Sequence, residues 1–369
     1  MTHQPLTIKE LTDVVGSGIT PRMVRHYHQL GLLPPVQRSA ANYRLYTLED
    51  VQRLRWIAAL KQQGFQLSHI KKLLASTSAA DATQTLTYQL QQQYQTVIQQ
   101  LARLRQTASA LERFLGRDDS CQERQSHVLT HLQQLDVDTQ SGQLEHLWDE
   151  LDGVVDAHPE KFEESLQKLL PDLSHRSEIE VDLLSKLVLA CGDVSITQFV
   201  RLSRGAIAAA RHTLKAGCEV IADVPTVTAT LDQTRLAHLG CTVKTLIDDA
   251  HINSAPEAEQ AFWHNQGWAK RLQQVSPSSI LVIGYTPSVL MSVCAAIEQG
   301  KIQPALVIGM PIGFSHAPAA KLRLMRCSIP WITIAGTMGG GLLAAVALNA
   351  LVGSLLEKPN CHCYLGTGT

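Results

Sequence analysis

Residues 6–35 read LTIKELTDVVGSGITPRMVRHYHQLGLLPP, and two helix signatures stand in it back to back. Thr7 followed three residues later by Glu10 is a capping box, in which each side chain satisfies an amide left bare at a helix start. Ile8, Leu11 and Val15 recur at helical spacing, and Gly16 supplies a stop. The pattern then repeats, with Thr20 as N-cap, Pro21 at the first helical position and Gly31 as the next stop. Two short helices joined by a tight turn predict a helix-turn-helix, whose second helix enters the major groove of double-stranded DNA. Arg22 and Arg25 share a face of that second helix, with His26 and Tyr27 beside them. Forked guanidinium donors suit both phosphates and guanine edges.

Working outward, residues 37–50 (QRSAANYRLYTLED) predict a short ribbon. Asn42 stands where a left-handed turn residue is wanted, a conformation few residues besides glycine tolerate. The ribbon is expected to display Arg38, Tyr43, Arg44 and Tyr46 toward the DNA backbone. Residues 47–74 add two amphipathic helices. Charge supports the assignment. Residues 1–76 hold ten lysines and arginines against four acidic residues, although the whole chain carries a net charge of -1. A basic head on an otherwise acidic chain fits nucleic acid as its partner.

Residues 6–75 resemble the winged-helix head of the MerR family of transcription regulators, carried by TIKEL, VRHYHQLGLLPP, NYRLYTLEDVQRLRWI and LKQQGFQLSHIKKLL. Asn42 replaces the glycine usual in that family, which the turn argument accommodates. The resemblance implies a homodimer that distorts promoter DNA so that RNA polymerase engages, an effect of DNA shape. The next segment suits such a dimer. Leu90, Val97, Leu104 and Leu111 fall seven apart, and Tyr94, Leu101, Ala108 and Leu115 fill the alternate seam, a heptad repeat that needs a partner helix. By analogy with the family that partner is antiparallel. The family's metal-sensing members carry ligand cysteines in the loop after this helix, the place of Cys121, although the common second cysteine is missing. His127 and His131, four apart, have chelating spacing or are solvated helix residues.

Beyond an acidic connector the pattern changes. Apolar runs EVIADV, SILVIGYTP, ALVIGMPIGF and PWITIAGTMGGG alternate with helical stretches, which predicts an α/β domain with a largely parallel sheet. Ligands on such sheets sit at the carboxyl ends of the strands. That rule gathers Gly284, Gly309, Gly313 and residues 336–341 around one crevice, where a triple glycine before a helix either cradles an anion or allows a tight turn. Leu342 to Leu356 is apolar but shorter than the ~20 residues of a membrane span, so a buried helix is expected and no membrane partner. Eight scattered cysteines and a start without signal-peptide character predict a cytoplasmic, reduced protein.

Residues 158–356 resemble precorrin-8X methylmutase, carried in order by LVLACGD, AARHTLKAG, VIGYTPSVL, LVIGMPIGF, Lys321 and MGGGLLAAVALNAL. The resemblance implies that fold and a tetrapyrrole or corrinoid pocket at Leu189, Tyr285, Gly309, Pro311, Gly313, Thr337, Gly339 and Gly340. It also implies a loss of activity. Leu189 stands at the family's proton-handling histidine and cannot act as acid or base. Ser254, Ala255 and Pro256 replace a Thr-Arg-Ser motif, and Ala335 and Thr337 replace two arginines that would face substrate carboxylates.

The chain ends with Cys361, His362 and Cys363 in a row, beyond the last methylmutase-like helix. In an extended segment alternate side chains share a face, which lets both cysteines reach one ion. With Cys121 these are the expected metal ligands. The expected fold is thus multidomain. An all-α winged helix-turn-helix head (1–76) leads to an antiparallel coiled-coil dimerisation helix (77–120), then a metal loop and acidic connector (121–157). An α/β domain (158–356) and a Cys-His-Cys tail (357–369) follow. The combination resembles cobalt-responsive MerR-type activators of cobalt export, with Co(II) as signal, although thiolate and imidazole suit zinc as well. A corrinoid-sensing regulator and a bifunctional methylmutase stay open on the sequence.

Overall fold

The computed structural model describes residues 5–16, 18–39, 42–62, 65–75, 79–115, 160–264 and 266–361. The chain divides into two compact units, residues 1–114 and 115–369.

In the first unit α1 (Ile8–Val15) starts at the expected capping box. The Thr7 amide donates to Glu10 Oε2 at 2.7 Å, and the Glu10 amide donates to Thr7 Oγ1 at 3.4 Å. Helix α2 (Pro21–Gln29) begins at Thr20, whose hydroxyl accepts from the Met23 amide, and ends before Gly31 at φ 71°. Strands β1 (Gln37–Arg38) and β2 (Arg44–Leu45) pair antiparallel, with Arg38 opposite Arg44. Among the described residues Asn42 is the one non-glycine with positive φ, 64°. Helices α3 (Leu48–Gln62) and α4 (Leu67–Ala75) close the core over Leu11, Val24, Leu32, Leu54, Ile57 and Ile70. Helix α5 (Ala79–Leu115) has 37 residues, about 55 Å at the helical rise. Its seam residues Leu90, Tyr94, Val97, Leu101, Leu104, Leu111 and Leu115 are all exposed, so the heptad stripe finds no cover among the described residues.

Among the described residues the second unit begins with α6 (Phe162–Leu169), near the start of the expected α/β domain, and α7 (Glu178–Cys191), followed by a short 3-10 turn. Then come β3 (Val200–Leu202), α8 (Ala206–Lys215), β4 (Glu219–Ala222), α9 (Pro225–Thr230), α10 (Gln233–His238) and β5 (Thr242–Thr245). Helices α11 (Ala255–His264) and α12 (Gly267–Gln273) precede β6 (Ile280–Ile283), α13 (Pro287–Glu298), β7 (Leu306–Gly309), α14 (His316–Leu324), β8 (Trp331–Ile334) and α15 (Gly341–Glu357).

The strands form one sheet in the order β3-β8-β7-β6-β4-β5, parallel except for β3 against β8. Strands β6 and β7 are buried at every position, as expected where helices cover both faces. The sequence reading found four of the six strands. It missed β3, which has three residues, and β5, whose TVKT alternates and lies at the sheet edge. The membrane-like run forms α15, packed along α7 and β6 with Leu348, Leu351 and Val352 fully buried. Each such side chain stabilises the fold by about 1.5–3 kcal/mol, and Leu351→Ala would cost roughly 2–5 kcal/mol. No helix among the described residues is long and apolar enough to cross a membrane.

Candidate functional site

The head presents a cationic surface built by its caps and turn. Thr20 fixes the start of α2, which leaves Arg22, Arg25 and His26 exposed along one side. Arg38 and Tyr43 are exposed on the ribbon and Arg44 is half-buried. Arg38 donates from Nη1 to Asn42 Oδ1 at 2.7 Å, so the turn residue also steadies the cation. His28, Arg38, Arg44 and Arg53 line a recess of about 520 Å³ beside the ribbon. Burial, aided by Arg44, pushes the His28 imidazole below its ordinary value.

Two expected contacts are corrected. Tyr27 is 3 % exposed and Tyr46 fully buried, so neither reaches a duplex. Both belong to the head's core, and burial raises both phenols. Tyr46 packs near the His28 ring at 5.7 Å, and its backbone bridges Leu6. An amphipathic aromatic offers the same residue type to a core as to a backbone contact, which is why type alone misplaced them.

In the second unit the loops after β6, β7 and β8 converge as expected. Gly313 donates to the Thr337 carbonyl at 3.3 Å, and Gly340 donates to the Met310 carbonyl at 2.8 Å. A Cβ on Gly339 would stand 2.3 Å from that Met310 oxygen, and one on Gly284 would stand 2.4 Å from the Gly341 Cα. The glycines therefore serve close approach of backbone to backbone. The Gly340 amide, a donor the anion cradle needed, is spent on protein. Tyr285, half-buried, lies against Gly341, while Pro311 is buried and Thr337 exposed. Gly309 is not a pocket residue, because a Cβ there would meet Leu324 and Leu290 within 3 Å. Leu189 stands near the end of α7 with 49 % of its surface exposed.

Two buried charges hold these loops, and residue type alone gave little sign of either. Asp223, at the carboxyl end of β4, is fully buried and accepts four amides. Oδ2 takes Gly284 at 3.2 Å, Tyr285 at 2.7 Å and Thr286 at 2.9 Å, and Oδ1 takes Val224 at 3.1 Å. Burial raises its pKa, and the amides oppose that. Lys321 is fully buried on α14 and donates from Nζ to the carbonyls of Gly336, at 3.0 Å, and Met338. Burial pushes its ammonium down to about 8.

Of the expected metal ligands, Cys121, His362 and Cys363 lie outside the described residues, as do His127 and His131. Cys361 is described. It is half-buried against the core, and its Sγ is 3.9 Å from Glu178 Oε2 in the first turn of α7. Arg211, 3 % exposed on α8, donates to the carbonyls of Ser354 at 2.8 Å, Lys358 at 3.0 Å and Pro359 at 3.3 Å. The root of the tail is thereby fixed to the folded domain. A thiol beside a carboxylate is a donor pair suited to a divalent ion of borderline softness. No group of three or more His, Cys, Asp or Glu side chains forms a metal cluster among the described residues.

Comparison with known proteins agrees with both halves of the architecture. Residues 162–354 match the precorrin-8X methylmutase family, and residues 6–77 match the MerR HTH family of regulatory proteins. The precorrin-8X methylmutase of Sinorhizobium sp is 32 % identical over 188 residues, covering 49 % of this chain and 86 % of that enzyme. The HTH-type transcriptional regulator HmrR of Sinorhizobium medicae is 44 % identical over 59 residues, covering 16 % of this chain and 40 % of that regulator. The heavy metal-dependent transcription regulator 1 of Rhizobium meliloti is 37 % identical over 70 residues, covering 19 % of this chain and 47 % of that one. With the expected helix-turn-helix and the parallel α/β sheet both in place, the chain belongs to the precorrin-8X methylmutase family through residues 162–354 and carries a MerR HTH regulatory domain at residues 6–77.

Proposed function

We propose that the protein is a cobalt-responsive transcriptional activator that binds promoter DNA as a homodimer in the cytoplasm and governs cobalt efflux. The observation that carries the reading is the pairing of an exposed Arg22–Arg25 helix face with a methylmutase-type domain bearing Leu189 where that family's histidine is expected. Leucine cannot move a proton, so the second unit is read as a former enzyme kept for its fold or pocket. The exposed heptad stripe of α5 supplies the surface for a second copy. Cys361, with Cys121, His362 and Cys363, supplies thiolate and imidazole donors for Co(II). The heavy-metal relative supports a metal signal, and the corrinoid-type domain favours cobalt among the metals these donors accept.

A ligand shifts a switch only through unequal affinity for its two states. In this reading the dimer sits on its operator with and without metal, and metal-loaded protein favours the arrangement that twists the duplex for RNA polymerase. The test is in vitro transcription with footprinting, with and without Co(II). Activation with a changed footprint on metal addition is expected, and identical DNA distortion in both states would remove the switch.

A corrinoid sensor is the second reading, favoured by Tyr285 and Thr337 on the convergent loops. Its mark is tetrapyrrole-dependent transcription that survives replacement of Cys361, His362 and Cys363 together. Turnover of precorrin-8 at the rate of a biosynthetic enzyme would instead establish a bifunctional methylmutase.

A further inference from the structure

We propose that the recess between the end of α2 and the ribbon seats a backbone phosphate of the duplex on Arg38 and Arg44, and that His28 takes up a proton as the phosphate enters. This rests on the reading of the head as a DNA-binding unit.

The recess gathers its polar groups from several elements. His28 comes from α2, Arg38 from β1, Arg44 from β2 and Arg53 from α3, around a volume of about 520 Å³. Lys71 of α4 stands beside it, with Nζ 3.3 Å from where a Cβ on Gly31 would lie. Arg53 spends Nε on the Leu32 carbonyl at 2.8 Å and Nη2 on the Leu74 carbonyl at 3.4 Å, so it contributes a fixed charge. Among the described residues none of Arg38, Arg44, Arg53 and Lys71 forms an ion pair. The carboxylate that acts on His28 is that of Asp50, which is buried. Its Oδ2 accepts from the Thr47 amide at 2.8 Å and from the Thr47 hydroxyl at 3.0 Å. Cations packed together without a paired anion favour the entry of one, and forked guanidinium donors fit phosphate oxygens.

His28 is the group that can respond. Its Nε2 is buried with no hydrogen-bond partner among the described residues, so no neighbouring carbonyl or carboxylate fixes its proton. Tyr46, whose ring centre lies 5.7 Å away, has its hydroxyl equally unpartnered there. In the free head, burial and the Arg44 charge favour the neutral imidazole, and Asp50 opposes them. A phosphate on Arg38 and Arg44 cancels the cationic repulsion and adds an anion nearby, which favours the imidazolium. Because Nε2 is shielded, His28 answers the phosphate through charge rather than through direct contact. The bound head then holds more protons than the free one. Affinity therefore rises as pH falls between the bound and free pKa values, and it is flat on either side.

The test is isothermal titration calorimetry of duplex into the purified full chain, in buffers of different ionisation enthalpy, which counts the protons exchanged. Phosphate contacts carry no sequence information, so a mixed-sequence duplex of ~30 base pairs serves as probe. Uptake of roughly half a proton or more per head near neutral pH is expected, with binding several-fold tighter at about pH 6 than at about pH 8. His28→Gln is expected to remove most of the uptake and to flatten the pH profile. Arg44→Gln is expected to lower the slope of log affinity against log salt by about one. Melting curves check that each variant folds, and the wild-type proton count depends on no variant. Duplex binding without proton uptake overturns the proposal, as does uptake that survives His28→Gln and is lost in His26→Gln. Inorganic phosphate that raises the melting temperature of wild type but not of Arg44→Gln, with no uptake on duplex binding, assigns the recess to free phosphate and also overturns it. No duplex binding even at low salt sinks the DNA reading itself, whereas tight binding with a flat wild-type pH profile sinks only the role of the recess.

Discussion

Asn42 holds a left-handed backbone at φ 64° and accepts a hydrogen bond from Arg38 at 2.7 Å, so one residue both turns the ribbon and aims its arginine. Asn42→Ala is expected to lose about 1 kcal/mol or more of head stability, since a Cβ without a local polar partner is disfavoured in that conformation. Asn42→Gly should keep the turn and release only Arg38. Thermal unfolding of the two variants separates the effects; equal melting of Ala and wild type would mean that the turn is unstrained.

Helix α2 divides into an exposed cationic face, the one proposed to meet DNA, and a core face. Arg25→Ala is expected to weaken operator binding by about 1–3 kcal/mol, the range of a bidentate base contact, with unchanged melting. Tyr27→Ala should instead destabilise the head by roughly 3–5 kcal/mol, as for other buried aromatics. Fluorescence anisotropy with a duplex, run beside calorimetry, reads both. A Tyr27→Phe protein that folds normally but loses DNA would return the phenol to the interface.

Lys321 gives the second unit a pH dependence. Burial holds its folded pKa at about 8, below the 10.5 of a solvated lysine in the unfolded chain. Between these values the unfolded chain binds more protons, so stability rises with pH there. Below pH 8 the cost of the buried charge is present in full. Urea midpoints of wild type should therefore rise relative to Lys321→Met between pH 8 and 10, and parallel curves would place the charged form at no disadvantage.

Leu189 is half exposed, so Leu189→His should change stability by less than about 0.5 kcal/mol. It should not restore methylmutase turnover by itself, because Ala335 and Thr337 still leave the expected arginine positions neutral. Assay of precorrin-8 conversion checks this, and recovery of a biosynthetic rate from this single change would show the remaining site to be intact.

Much of the fold was legible because its signals are local. The capping box spans the four residues from Thr7 to Glu10, and the buried strands β6 and β7 announce themselves as unbroken apolar runs. Strand β5 was not legible, since TVKT has no apolar run and acquires its place only from pairing with β4. The glycines of the crevice were legible as positions but not in role. Gly284 is required by the backbone of Gly341, and Gly341 by the Tyr285 ring, relations between residues far apart in the chain.

The candidate site divides in the same way. By itself the sequence determined the basic head, the heptad seam, the parallel sheet and the donor types of Cys361, His362 and Cys363, all set by spacing within one segment. Tertiary structure alone decided that Tyr27 and Tyr46 are core, that Asp223 and Lys321 hold the loops, and that Glu178 meets Cys361. Glu178 and Cys361 are 183 residues apart, and Arg211 reaches Pro359 across 148. Periodicity and capping act over a few residues, whereas a side chain's partner across such distances is fixed only when the sheet and its helices pack.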